Sequence, residues 1–146
     1  MKKLIGLIAI SISLFALDLT YTKAFKEYQK GKKYQTVNPE LAKKHYQNAF
    51  FLLNSIKDSN SSQTHFLLGE MYAKGLGVEQ NFSLAEQHFL KAIKLGNKRA
   101  YCCLAKLYLL EGKKDLAKKY LNIALSNNNT SNYCKDIENT QTKEKK

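Results

Sequence analysis

The 146-residue sequence predicts an all-α fold: a short α/α solenoid of about three helix-hairpin repeats with a C-terminal capping helix. Three observations carry this. A pattern of small and apolar residues recurs along the chain. Apolar residues within each copy follow helical spacing. Glycines fall between the periodic runs, where a hairpin has to turn. A lone hairpin cannot bury its apolar face, but stacked neighbours bury it between them.

In chain order, the first element is Lys2-Lys3 followed by a run from Leu4 to Leu17 that is apolar apart from Ser11, Ser13 and the small Gly6 and Ala9. The run is shorter than the ~20 residues of a membrane-spanning helix. With its basic start it reads as a secretory signal peptide, residues 1–16. Cleavage after Ala16 keeps the helical series Leu17, Tyr21, Ala24, Phe25 and Tyr28 whole. Cleavage after Ala24 fits the small-residue rule better but removes part of that series, and an uncleaved membrane anchor is a third outcome. The repeat domain is then residues 17–138, and the lysine-rich end "TKEKK" closes a disordered tail, 139–146.

The clearest copy carries Leu68-Gly69, Tyr72, Gly75, Gly77, Leu84-Ala85, Phe89 and Ala92-Ile93. Thirty-six residues later Leu104-Ala105 and Tyr108 repeat its first half. Thirty-two residues later Leu116-Ala117, Leu121 and Ala124-Leu125 repeat its second half. Backwards, "LAKKHYQNAF" (Leu41 to Phe50) mirrors "LAEQHFLKAI" (Leu84 to Ile93), and Tyr28-Gln29-Lys30-Gly31 reads as the counterpart of Tyr72-Ala73-Lys74-Gly75. The small residues let helix backbones approach, with the tyrosines packed beside them. Gly69 is such a packing position, where alanine is expected to be tolerated and leucine is not. Ser83 with Glu86 reads as a capping box, Gly96 as a left-handed helix stop, and Pro39 marks the equivalent turn in the first copy. Gly75-Leu76-Gly77 lacks the preceding strand and the following Lys-Ser or Lys-Thr of a phosphate loop. Both glycines read as turn residues.

The segment "HFLLGEMYAKGLGVEQNFSLAEQHFLKAIKLG" resembles the Sel1-like repeat, a relative of the tetratricopeptide repeat. The resemblance rests on its leucine-glycine, tyrosine, glycine-x-glycine-valine and alanine-alanine positions. It covers Thr64 to Gly96 best. It extends over Lys98 to Asn128, with an inter-helix turn four residues shorter, and more loosely over Leu17 to Leu53, where Lys33 stands for Gly77. His88 stands where the family usually has an aromatic residue, and Ile93 where it usually has alanine. The resemblance implies an adaptor that binds other proteins. Some exported, cysteine-rich members are linked to penicillin binding and β-lactam hydrolysis, which makes such a hydrolase the alternative. Those members carry regularly spaced cysteine pairs, absent here from the first two copies, and no Ser-x-x-Lys, Lys-Thr-Gly or Ser-Asp-Asn occurs. No catalytic residue and no cofactor is assigned.

Composition narrows the partners. Lys and Arg number 24 against 12 Asp and Glu, a net charge of +12 that falls to +10 when Lys2 and Lys3 leave with the leader. Arg99 is the single arginine. Scattered lysines make a solubilising surface, attracted to anionic envelope polymers, rather than the arginine-led face of a nucleic-acid module. His45 and His88 share a repeat position and should lie ~10 Å apart on packed helices. That is too far to share a metal, so both, with His65 on the other helix, read as packing residues.

Cys102, Cys103 and Cys134 are an odd set in which export makes a disulfide available. Tyr133-Cys134 echoes Tyr101-Cys102 at the start of a capping helix, Thr130 to Ile137. A bridge from Cys134 to Cys102 or Cys103 would pin that cap, and three reduced thiols are the alternative. Cys102 matches Phe66, a core position, and Cys103 matches Leu67, an exposed one. The bridge is therefore expected at Cys102, leaving Cys103 as the more reactive thiol. In such arrays the first helices line a concave face. Its stripe is expected to be Leu67, Glu70 and Lys74, continued by Cys103, Lys106 and Leu110, with leucines supplying burial and charges orientation. The expected function is an exported adaptor for a protein or peptide partner in the cell envelope.

Overall fold

The computed structural model describes residues 2–126 and Cys134, with side chains at Ile10 and Ser13 and from Phe15 onward. Apart from Cys134, the expected capping helix at Thr130 to Ile137 and the 139–146 tail lie outside the described residues. Six helices follow in order: α1 (Lys2–Tyr34), α2 (Pro39–Ser55), α3 (Ser62–Lys74), α4 (Phe82–Lys94), α5 (Ala100–Leu110) and α6 (Lys114–Ser126). No strand occurs among the described residues. They form three antiparallel hairpins, and α2 packs on α3, α4 on α5, and α3 on α5. Each hairpin thus leans on the next, as in a solenoid.

α1 runs without a break through Ala16, where the sequence suggests a cleavage point, because no proline falls between Leu4 and Leu17. Its packing starts later. Ile10, Ser13, Phe15 and Ala16 are exposed, whereas Tyr21, Ala24 and Tyr28 belong to the core shared with α2 and α3.

Two expectations need correcting. The α4 cap is Asn81, not Ser83: its side chain accepts from Leu84 N at 2.9 Å. Ser83 falls inside the first turn, and Glu86 accepts instead from the Tyr108 hydroxyl at 2.6 Å. Asn38 does the same for α2, accepting from Leu41 N at 3.0 Å, with Pro39 in the first turn. The register of the first copy also shifts. A hydrogen bond that closes the turn runs from Asn38 N to Tyr34 O (2.8 Å), from Asn81 N to Tyr72 O (2.9 Å) and from Lys113 N to Tyr108 O (2.8 Å). Tyr34, not Tyr28, is therefore the counterpart of Tyr72 and Tyr108. By the same shift Gly31 is the counterpart of Gly69, not of Gly75.

The glycines show what that register is for. A Cβ on Gly31 would sit 2.6 Å from the Tyr46 ring, and one on Gly69 would sit 2.7 Å from the Phe89 ring. Both rings are buried, so alanine at Gly69 forces a core aromatic to move, contrary to the tolerance expected from sequence. Gly75 and Gly77 have φ of +66° and +71°, the turn conformations that favour glycine. Gly77 has a second duty: a Cβ there would overlap the backbone of Tyr46 and Gln47 on α2. The turn of the second hairpin is pressed against the first.

Candidate functional site

The first helices of the three hairpins bring one polar cluster together. On α3, Glu70 accepts from the Tyr28 hydroxyl of α1 at 3.3 Å and from Lys74 at 2.9 Å, so its two oxygens have separate partners. The Cys103 thiol of α5 lies within the same field. Burial pushes it up to about 12 and Glu70 adds to this, while Lys74, Lys106 and Arg99 act the other way. Arg99 sits over the Phe66 ring at 4.9 Å. Burial and then the Glu70 charge raise the Tyr28 phenol well above its ordinary value.

Four of the six stripe residues expected from sequence, Glu70, Lys74, Cys103 and Lys106, thus share one electrostatic neighbourhood. Leu110 is 71% exposed at the end of α5. Leu67 is a correction: it is 3% exposed and packs in the core with Ala24, Tyr28 and Leu53. A middle helix in an array meets its own partner on one side and the preceding hairpin on the other, so its apolar surface is wider than one stripe. Cys103 is the free cysteine, as expected, but it is half-buried rather than exposed. A thiol held near 12 is protonated at neutral pH, and so is a poor nucleophile. A disulfide joins Cys102 to Cys134, with Cα atoms 5.4 Å apart. It lies in an apolar cluster with Ala105, Leu121 and Ala124 at the end of the third hairpin.

The sequence reading missed a second constellation. At one position on the hairpins' first helices stand Glu27, His65 and Tyr101, and opposite them on the second helices stand His45, His88 and Tyr120. Glu27 meets His45 at 2.7 Å. His65 Nδ1 meets His88 Nδ1 at 3.0 Å. Tyr101 and Tyr120 have ring centroids 6.2 Å apart. The tyrosine of each copy completes the layer: Tyr34 stacks on His45, Tyr72 on His88, and Tyr108 packs against Tyr120, with centroids 5.7, 5.6 and 5.4 Å apart. The signal was present in the sequence, since Glu27 and His65 each lie seven residues before that tyrosine, but only with the corrected register. Among the described residues no group of three or more potential ligands could hold a metal ion.

These features define a class, the solenoid of paired helices built on short repeats. More specifically, these stretches are Sel1 repeats: the Sel1 repeat model matches residues 23–50 and 62–97. The matched stretches take in the packed half of α1, most of α2, and all of the second hairpin. "Activator of C kinase protein 1" from Saccharomyces cerevisiae is 35% identical over 77 residues, which are 51% of this chain and 12% of the yeast protein. The chain therefore spans about an eighth of that relative's length. No solved structure matches. Sel1 repeats serve in protein–protein interaction, and proteins built from them are generally scaffolds rather than enzymes.

Proposed function

We propose that this chain is an exported adaptor that binds an acidic, extended segment of a partner protein along the face formed by α1, α3 and α5. The observation that carries this reading is the cluster around Glu70. Among the described residues of that cluster the Glu70 carboxylate is engaged by Tyr28 and Lys74, with Lys106 and Arg99 in the same field. A face that carries lysines and is edged by exposed Leu110 suits carboxylate side chains with an apolar neighbour. The yeast relative is named as an activator of a kinase, a protein that acts on another protein, in keeping with an adaptor.

Export is supported by the Lys2-Lys3 start and apolar run, and by a disulfide suited to an oxidising compartment. Cleavage after Ala16 would leave every described core residue in place. Cleavage after Ala24 would remove Tyr21 and the fully buried Ala24. Among the described residues no helix is long and apolar enough to cross a membrane; most side chains of the Leu4–Leu17 run fall outside that description. Selection of a displayed random-peptide library on the full chain tests the binding reading. Enrichment of Asp- and Glu-containing peptides, with binding weakened about tenfold by Lys74→Glu with Lys106→Glu, is expected. Failure to select any peptide, or indifference to charge reversal, contradicts it.

A further inference from the structure

The facing nitrogens of His65 and His88 are 3.0 Å apart and the ring centroids 5.2 Å. The difference is about the width of one ring, so the rings meet edge to edge, along the line of a single N–H···N hydrogen bond. Such a bond holds one proton between two nitrogens. We infer that the His65–His88 contact is an acid-sensitive latch, broken by proton uptake so that α3 loosens from α4, while the equivalent Glu27–His45 contact keeps the first hairpin closed.

The proton inventory leads to this. His65 is buried, and its Nε2 makes no hydrogen bond of good geometry, the Ser59 main chain offering only a weak acceptor to the ring. A buried unpaired N–H is worse tolerated than a buried bare acceptor. The neutral pair is therefore best served by His65 donating from Nδ1 to a bare His88 Nδ1, a tautomer assigned from the network. A further proton on His88 Nδ1 would place two N–H groups face to face. Shifting the His65 proton to Nε2 to avoid this would bury an unpaired donor. The first route opens the contact; the second keeps it only by burying that donor, and once both rings are charged no acceptor is left between them and the contact opens.

The surroundings add to the resistance. Burial disfavours charge on His88 most, followed by His65, Lys57 and Lys91, and together they hold it down to about 4. His65 is lowered by burial and then Lys91, against a weaker opposite pull from Asp58 and the Ser59 main chain. Tyr72 is stacked against the His88 ring. In the first hairpin the partner is instead a carboxylate, and a proton on His45 would turn its hydrogen bond to Glu27 into an ion pair.

The sign follows from linkage. Unfolded histidines bind protons near 6.5, and these folded ones bind them only at lower pH. Stability from the pair is whole above 6.5 and is lost as pH falls toward 4. α3 also carries Glu70 and Lys74, so the loosening reaches the proposed binding face.

Imidazole-nitrogen NMR on the full chain, titrated from about pH 7.5 to 4, gives the direct test. It is expected to show one shared Nδ1 proton and charging of both rings displaced below the ordinary histidine range. Rings that titrate independently near 6.5 would overturn the latch. Melting curves supply a second test through the pair found in the third hairpin. With His65→Tyr and His88→Tyr together, the drop in Tm of about 5–10 °C that wild type should show between pH 7.5 and 5 should fall to about 2 °C or less. An undiminished drop in a folded double variant would equally overturn it. If that variant does not fold, the nitrogen titration of wild type decides alone.

Discussion

His45 and His88 occupy the same place in successive hairpins, each stacked on its own copy's tyrosine, yet they face opposite chemistry. His45 meets Glu27, a carboxylate held down to about 2 by Lys30 first, then His45, with Asn48 also contributing. His88 meets another histidine and has Lys57 and Lys91 in its field. The repeat determines where the two rings sit, while burial first and the facing His65 next set how poorly charge is tolerated at His88. Identical architecture therefore does not mean identical response to acid.

The comparison can be broken in graded ways. The largest effect should come from the third hairpin, which neither histidine serves. Removing the bridge with Cys134→Ala frees a loop closed over a sequence separation of 32 and should lower stability by about 3–4 kcal/mol. Denaturation followed with and without reductant measures it, and equal midpoints for the variant and the oxidised wild type would contradict it. Next is Gly77→Ala, which sets a methyl against the α2 backbone at a φ of +71°. A loss of about 3 kcal/mol is expected. Gly96→Ala is its control, because φ is +95° but nothing lies within 4 Å; strain alone should cost about 1–2 kcal/mol.

Gly31→Ala and Gly69→Ala test where the two hairpins are alike. Each places a Cβ within 2.7 Å of a buried ring, and each gains back up to about 1 kcal/mol of helix propensity. Both should therefore destabilise by a similar net amount, about 1–2 kcal/mol. A neutral Gly31→Ala beside a costly Gly69→Ala would mean that the first-copy register is wrong.

Three hairpins and their turn glycines could be read from residue patterns, because each depends on local spacing and on small residues; for Cys134 the sequence favoured Cys102 without excluding Cys103, and the structure joins it to Cys102. The first-copy register could not. The inter-helix turns differ in length, with closing bonds spanning four, nine and five residues, and α1 offers both Tyr28-Gly31 and Tyr34 as landmarks. Only the bond from the cap to the tyrosine carbonyl distinguishes them. The two asparagine caps, Asn38 and Asn81, lie 43 residues apart, the same interval as Leu41 and Leu84; Ser83 with Glu86 drew attention away because it matches a known capping pattern. Leu67 was placed on the surface by a one-sided view of a helix that is packed on two sides. The His65–His88 contact joins residues 23 apart on facing helices, a pairing that depends on the packing of α3 on α4 and not on local spacing.

The sharpest test is amide hydrogen exchange of the full chain at pH 7.5 and pH 5, corrected for intrinsic rates and resolved helix by helix. Acid should increase opening of α3 and α4 about tenfold or more while α1 and α2 change less than about twofold. With His65→Glu, which gives the second hairpin the partner found in the first, the difference should close. Equal acid sensitivity of the two hairpins in wild type would contradict the claim that the facing residue, rather than the repeat, sets the response.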